Sequence, residues 1–328
     1  MSKELKEAVL SLQNADQFKA LALEVFQYQA KENPVYALYL KALNTNTKEV
    51  KELWQIPFLP ISFFKSHKVL CKHAKPKLVF ESSGTTGMQT SKHYVADPDF
   101  YKVVSKKIFE DVYGKLQDYT ILALLPSYLE RENSSLIFMV QHFINHAQST
   151  SGFYLHDVES LVKKIKAALL EKKKLLLVGV TFALLDLAEK YEIDLSSVIV
   201  METGGMKGRR REMIREEVHA LLKSAFDLKK VHSEYGMTEL LSQFYSKGDG
   251  LFSGPIWAKI LSREVNDPFS KGTNRETGII NVIDLANIDS CCFIETRDLG
   301  KINVNNRCFE VKGRLDHSDV RGCNLLIA

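Results

Sequence analysis

The sequence has little excess charge of either sign, few cysteines and no long apolar run. Its 328 residues include 44 Lys and Arg against 40 Asp and Glu, and the net charge of +4 is too small to indicate a nucleic-acid partner. The five cysteines are odd in number and show no CxxC spacing, which predicts reduced thiols in a cytoplasmic protein. The longest apolar stretches, such as residues 119–126, are too short for a membrane span.

The composition that remains is that of a globular chain with a large core. Between Lys77 and Gly236, short apolar runs alternate with helical stretches, which predicts βαβ units and a mainly parallel sheet. Hairpin-like strands follow Gly236. We therefore predict an α/β fold in four parts: a helical N-terminal region over 1–76, an α/β core over 77–236, a β-rich subdomain over 237–313 and a short tail over 314–328.

Local signals predict individual elements within these parts. Asn14 and the pair Asn33-Pro34 are typical of helix starts in the N-terminal region. Residues 54–64 contain Pro57 and Pro60, so this apolar segment is predicted to be extended rather than a continuous helix. Helices of the core are predicted near residues 98–113, 134–147, 158–171, 181–191 and 207–224.

A loop rich in glycine and hydroxyl groups follows the strand-like run 77–81. It reads Ser82-Ser83-Gly84-Thr85-Thr86-Gly87. Two glycines allow a tight backbone path, and hydroxyls beside backbone amides suit an anion such as phosphate. No Gly-Lys-Ser/Thr closes the loop, so it is not a Walker A motif. Taken alone, a loop of this composition after a strand is more often an ordinary turn than a phosphate site.

Three further motifs follow the loop in order. They are Ser233-Glu234-Tyr235-Gly236-Met237-Thr238-Glu239, then Thr296-Arg297-Asp298-Leu299-Gly300, then Gly313-Arg314-Leu315-Asp316. Together with the loop they resemble the four signature segments of the adenylate-forming superfamily. Residues 124–131 and the turn Glu202-Thr203-Gly204-Gly205 narrow the resemblance to the fatty acyl-protein synthetase (LuxE) family of bacterial bioluminescence.

The resemblance implies a fold and a set of ligands. The fold would be the N-terminal domain of an adenylate-forming enzyme, with the mobile C-terminal domain essentially absent. The cofactors would be ATP and Mg²⁺, with Glu239 as the metal ligand. The expected ATP phosphate-binding residues are Ser82, Ser83, Gly84, Thr85, Thr86 and Gly87. The expected adenine- and ribose-binding residues are Gly204, Gly205, Tyr235, Gly236, Thr238, Asp298 and Arg314.

Two departures from the superfamily pattern concern the catalytic residues. The lysine expected at the third position after the loop is Thr90, and Lys92 lies close enough to be considered as its replacement. Only twelve residues follow Asp316, and they include Cys323 beside Arg321. In the family an acylated cysteine lies near the C-terminus, and a neighbouring arginine favours the reactive thiolate. The alternative for Cys323 is a terminal cysteine without function.

The resulting prediction is an adenylate-forming ligase that activates a carboxylic acid, expected to be fatty, as acyl-AMP with release of pyrophosphate. The acyl group would then form a thioester on a cysteine, and a donor or acceptor protein or CoA is the expected partner. Two alternatives stay open. One is an aryl- or acyl-CoA ligase related to phenylacetate-CoA ligase, which shares the threonine variant of the loop. The other is a non-catalytic, nucleotide-binding subunit of a biosynthetic complex.

Overall fold

The computed structural model describes residues 2–82, 89–125, 133–154, 157–204, 213–267, 277–303 and 308–315. Its helices in these residues are α1 (Ser2–Ser11), α2 (Ala15–Glu32), α3 (Pro34–Ala42), α4 (Phe63–Ser66), α5 (Pro98–Tyr113), α6 (Ser135–Ile144), α7 (Val158–Leu170), α8 (Thr181–Lys190) and α9 (Arg215–Phe226). Its strands are β1 (Leu59–Pro60), β2 (Leu78–Glu81), β3 (Lys92–Val95), β4 (Tyr119–Leu124), β5 (Gly152–Phe153), β6 (Lys174–Val180), β7 (Ile199–Thr203), β8 (His232–Tyr235), β9 (Phe244–Ser246), β10 (Phe252–Ser253), β11 (Ala258–Arg263), β12 (Thr277–Asp284), β13 (Phe293–Asn303) and β14 (Cys308–Arg314).

Most of the strands form one sheet, in which the order is β11-β12-β13-β14-β10-β9-β8-β7-β6-β4-β5. Strands β5, β4, β6, β7 and β8 run parallel to one another. Every residue of β4 is buried, and so is β6 after its first residue, as expected of parallel strands covered on both faces. The mixed sheet and its flanking helices confirm the α/β prediction.

The core helices lie close to their predicted positions. α5 begins after Asp97, whose side chain accepts a hydrogen bond from the amide of Phe100, and it ends at Gly114, which has a φ of 92°. The next three core helices match the predicted stretches within a few residues at each end. α9 begins at Arg215, later than the predicted residue 207.

The antiparallel strands continue the same sheet. β8 pairs with β9, β9 with β10, and β10 with β14, so the β-rich chain after Gly236 is joined edge to edge to the parallel strands. β11, β12, β13 and β14 then complete an antiparallel meander. The boundaries predicted after residues 76, 236 and 313 stay predictions.

The N-terminal helices pack against the far end of this meander. Asn14 and Asn33 cap α2 and α3 as predicted, and Pro34 occupies the first turn of α3. The extended segment that follows supplies β1, which pairs in parallel with β13 at Ile294 and Glu295. The amide of the buried Gln29 donates hydrogen bonds to the carbonyls of Asn287, Ile288 and Ser290.

β2 and β3 form a separate hairpin that carries the predicted phosphate loop between its strands. Its register joins Leu78 to Val95 and Glu81 to Lys92. Among the described residues, no helix is both long and apolar enough to cross a membrane.

Candidate active site

The base of the predicted phosphate loop is closed by two hydrogen bonds. The amide of Ser91 donates to Oγ of Ser82 at 2.9 Å, and the amide of Ser82 donates to the carbonyl of Ser91 at 3.0 Å. The two ends of the loop are therefore held side by side. The remaining predicted loop residues lie outside the described residues, and they are Ser83, Gly84, Thr85, Thr86 and Gly87.

Lys92 stands on β3, directly beside this base. Its Nζ lies 3.4 Å from Oε1 of Glu81, the residue opposite it on β2. The Lys92 side chain is about half exposed and that of Glu81 about a third, so solvent screens this ion pair. The catalytic role of Lys92 stays a prediction.

Residues from three strands meet where β8 ends. The hydroxyl of Tyr235, the last residue of β8, donates to Oδ2 of Asp298 on β13 at 2.8 Å. Arg314 is the register partner of Asp298 on β14, and its Nε lies 3.9 Å from Oδ1. Burial raises the pKa of Asp298, while the Tyr235 hydroxyl and the Arg314 charge act against that rise. The structure thus joins three residues that were predicted from separate motifs.

Glu239 lies in the turn after β8 and is buried. Burial raises the pKa of its carboxyl, and a hydrogen bond from the side chain of Ser91 and the charge of Arg314 oppose that rise. Ser91, whose amide helps to close the loop base, thus lies near the carboxylate predicted to hold Mg²⁺. Gly236 and Thr238 lie in the same turn, between Tyr235 and Glu239.

Two buried polar residues hold the backbone of this turn. Nδ1 of His93 lies 2.8 Å from the carbonyl oxygen of Thr238, and because a carbonyl can only accept, this ring nitrogen carries the proton. Nδ2 of Asn287 donates to the carbonyl of Glu239 at 2.7 Å. Burial lowers the pKa of His93 to about 4, so its ring is neutral near pH 7.

Ser91, His93 and Asn287 were missed by the sequence reasoning because none belongs to a recognisable motif. The available signal for His93 was its place in a short strand beside the loop.

The turn after β7 is the predicted adenine-side loop. Gly204 has a φ of 72°, a conformation that favours glycine, and its carbonyl accepts a hydrogen bond from the Thr181 hydroxyl. Gly205 lies outside the described residues. Just before the turn, Glu202 is buried between Arg215 and His219. Burial alone would raise the pKa of Glu202, but His219, whose Nε2 lies 3.6 Å from Oε1, and the charge of Arg215 lower it overall.

An apolar cavity of about 10 Å³, with room for about one water molecule, lies between α5, α6 and the parallel strands. Its apolar lining is formed by Phe109, Ile121, Leu136, Met139, Val140, Phe143, Leu176, Val178, Met201 and Tyr245. Two polar side chains complete the lining, and both stand at the carboxyl ends of strands: Thr203 on β7 and Glu234 on β8. In open α/β sheets ligands bind at this edge.

The sequence was compared with models of known protein families. The model of the family described as acyl-protein synthetase, LuxE, matches residues 8–328, almost the whole length of the sequence. The chain belongs to the acyl-protein synthetase (LuxE) family. A comparison with curated proteins finds no match.

The fold of this LuxE-family chain is also found in solved structures of adenylate-forming ligases. It is similar to 2-hydroxyisobutyryl-CoA ligase in an open conformation with 2-HIB-AMP and CoA, at a TM-score of 0.65 and 13% identity, over 92% of this chain and 70% of that one. The same ligase in the thioesterification state gives 0.65 and 14%, over 92% and 68%. O-succinylbenzoate coenzyme A synthetase from Bacillus subtilis, with ATP and magnesium, gives 0.50 and 18%, over 72% and 49%.

Family and fold together identify this chain as an adenylate-forming ligase, and they support ATP-dependent formation of an acyl-AMP. The residues at the site fit the magnesium ion that such chemistry uses. Mg²⁺ is commonly bound by one or two carboxylates together with waters and substrate phosphates. The described residues contain no cluster of three His, Cys, Asp or Glu side chains that could hold a metal by itself. Glu239 supplies one buried carboxylate, which is enough when waters and substrate phosphates provide the other ligands.

Proposed function

We propose that this chain activates a fatty acid with ATP and transfers the acyl group to the thiol of Cys323 as a thioester, which a partner protein then receives. The observation that carries the proposal is the meeting of Tyr235, Asp298 and Arg314 beside the buried Glu239, at the edge of the sheet where the loop hairpin also lies. These groups come from motifs that are far apart in the sequence, and one nucleotide could contact all of them.

In this proposal each group has a distinct task. Asp298, held by Tyr235 and Arg314, would accept hydrogen bonds from the ribose diol, and the ring of Tyr235 would border the adenine. The loop 82–87 would bind the phosphates through its amides and hydroxyls. Mg²⁺ at Glu239 would offset the negative charge of the triphosphate. Lys92, beside the loop base, would supply a positive charge to the two anions that must approach each other.

The reaction would take place in two steps. A carboxylate oxygen of the acid attacks the α-phosphorus of ATP, the bond to the β-phosphate breaks, and pyrophosphate leaves. The thiolate of Cys323 then attacks the acyl carbonyl, and AMP leaves with the electron pair of the carbon–oxygen bond, while the thiol proton passes to solvent.

Burial argues against three of the four described cysteines and leaves the half-buried Cys308 and Cys323, which itself lies outside the described residues. Cys71 and Cys291 are buried, and burial raises the pKa of each thiol to about 12, so neither forms a thiolate near neutral pH. Burial raises the pKa of Cys292 as well. The described thiols form no disulfide, which supports our proposal of a cytoplasmic location.

The deciding experiment incubates the purified protein with Mg-ATP and radiolabelled fatty acids in the absence of CoA. We expect a covalent label on a denaturing gel that hydroxylamine removes. Cys323→Ser should lose the label but keep acid-dependent exchange of pyrophosphate into ATP, whereas Cys308→Ser, the matched control, should keep both. Asp298→Asn should weaken exchange and labelling together, because it alters the proposed ribose site.

Other outcomes would select the alternatives. CoA-dependent AMP release without a protein label would identify an acyl-CoA ligase, for which Cys323 is dispensable. ATP binding without exchange for any acid would identify a nucleotide-binding subunit. A hydroxylamine-labile label that survives in Cys323→Ser would refute the role of Cys323.

A further inference from the structure

Lysines are concentrated at the carboxyl end of α7 and in the turn that leads to β6. Residues 163–174 contain six lysines and one glutamate, so their net charge of +5 exceeds the +4 of the whole chain. The rest of the chain, taken together, is therefore almost neutral. All six lysines are exposed, and we call them the lysine surface: Lys163, Lys164, Lys166, Lys172, Lys173 and Lys174.

Few carboxylates neutralise this lysine surface. Nζ of Lys173 lies 2.5 Å from Oε2 of Glu171, and Nζ of Lys174 lies 3.8 Å from Oδ2 of Asp118. The other four lysines form no ion pair within the described part of the chain. The acidic residues of the cap and first turn of α7 stand at the opposite end of the helix, and they are Asp157 and Glu159. The helix is therefore acidic where it begins and basic where it ends.

An apolar side chain projects from the middle of the lysine surface. Leu170 is 86% exposed, more than any other large apolar side chain of the described residues. Helical periodicity places it in line with Lys163 and Lys166, on the face of α7 opposite the buried Leu161 and Ile165. A leucine in this position is stabilised by any partner that removes it from water.

The residue types of this surface favour a lipid membrane over a protein as the partner. Protein interfaces are enriched in arginine and aromatic residues and depleted of lysine, whereas residues 163–174 contain neither arginine nor an aromatic residue. One leucine surrounded by charges also does not form the apolar core of a protein interface. Clusters of about four to eight basic residues on an amphipathic helix are typical of binding to anionic lipids.

We propose that the lysine surface binds membranes that contain anionic phospholipids, with the lysines at the headgroups and Leu170 inserted at the boundary of the acyl chains. Lys174 begins β6, and Tyr235 ends β8, which runs in the same direction. The lysine surface and the proposed nucleotide site thus lie at opposite edges of the sheet, so the bound protein keeps that site away from the lipid. The inference does not depend on the proposed reaction.

The test measures sedimentation of the purified protein with vesicles of equal parts phosphatidylglycerol and phosphatidylcholine, and with vesicles of phosphatidylcholine alone. We expect binding to the first kind only, and weaker binding as salt screens the charges. One lysine close to an anionic membrane strengthens binding about fivefold. The triple variant Lys163→Gln, Lys166→Gln, Lys172→Gln should therefore bind about 100-fold more weakly than the wild type.

A matched control and two variants of Leu170 make the test specific. Lys41→Gln, Lys48→Gln, Lys51→Gln removes the same charge from exposed lysines of the N-terminal region, and it should bind like the wild type. Leu170→Ser should bind about 10-fold more weakly, because the inserted side chain is lost. In Leu170→Trp, the emission added to that of the two native tryptophans should shift to shorter wavelength with the anionic vesicles.

Several results would overturn the proposal. One is a wild-type protein that does not sediment with the phosphatidylglycerol vesicles. Another is an equal loss of binding in the two triple variants, since binding would then follow total charge and not this surface. Binding to polyglutamate but not to the vesicles would identify an acidic protein as the partner instead. All substituted side chains are exposed, so each variant should unfold at the urea concentration of the wild type.

Discussion

The hydrogen bond from His93 to Thr238 should matter for activity, because it fixes the turn that carries Glu239. The change to test is His93→Phe, which keeps a ring of similar size in contact with Phe64, whose ring centroid lies 5.8 Å away, but removes the donor. A buried carbonyl left without its partner costs about 1–3 kcal/mol. If that cost falls on the transition state, kcat/KM for pyrophosphate exchange should drop about 5- to 150-fold.

A conservative variant separates positioning from packing. The amide nitrogen of asparagine can take the place of Nδ1, so His93→Asn should recover most of the activity that His93→Phe loses. Phe64→Leu is the matched control: it loosens the same part of the core, so it should lower the free energy of unfolding and leave the exchange rate of the folded protein close to that of the wild type. Folded His93→Phe with exchange within about twofold of the wild type would refute the reasoning.

The same histidine and one glycine give two predictions on stability. The pKa of His93 is about 6.5 in the unfolded chain and about 4 in the folded protein, so the unfolded chain binds the proton first and acid favours unfolding. When the pH falls from 7 to 4, the free energy of unfolding of His93→Gln should therefore decrease by about 3 kcal/mol less than that of the wild type, as measured by urea titration. Equal losses would contradict this assignment. A Cβ at Gly278 would lie 2.2 Å from the carbonyl oxygen of Arg263 on the paired strand, so Gly278→Ala should cost about 3 kcal/mol or more. The control is Gly313→Ala, where nothing lies within 4 Å, and a similar loss in both variants would contradict the steric argument.

The parallel strands and their helices were predictable because local chemistry determines them. β4 is buried throughout and β6 after its first residue, so the sequence of each is mostly apolar. α5 is bounded by Asp97-Pro98 and by Gly114, residues whose backbone preferences start and stop a helix. The order of the antiparallel strands was not predictable, since the pairing of β10 with β14 depends on residues far apart in sequence.

The residues of the site also fall into a predicted group and a group that the sequence did not reveal. Tyr235, Asp298 and Arg314 were predicted because each lies in a motif whose spacing can be read from the sequence, and the structure joins them. His93 and Asn287 were not, because each is a single polar residue that becomes meaningful only when folding brings it to a backbone carbonyl of the turn. A hydrogen bond to a main-chain carbonyl does not depend on the side chain of the accepting residue. The sequence around the acceptor therefore does not indicate that the bond will form.

The docking of the N-terminal helices on β13 has a consequence for synthesis on the ribosome. Phe26 and Tyr36 pack on Phe293, and Gln29 bonds to a carbonyl 258 residues further along the chain. Translation at about 5–20 residues per second separates these partners by roughly 13–50 seconds. During that interval the aromatic face of α2 and α3 has no sheet to cover it. The nascent chain thus presents a long-lived apolar surface, and its yield should depend on chaperones that bind such surfaces before β13 emerges.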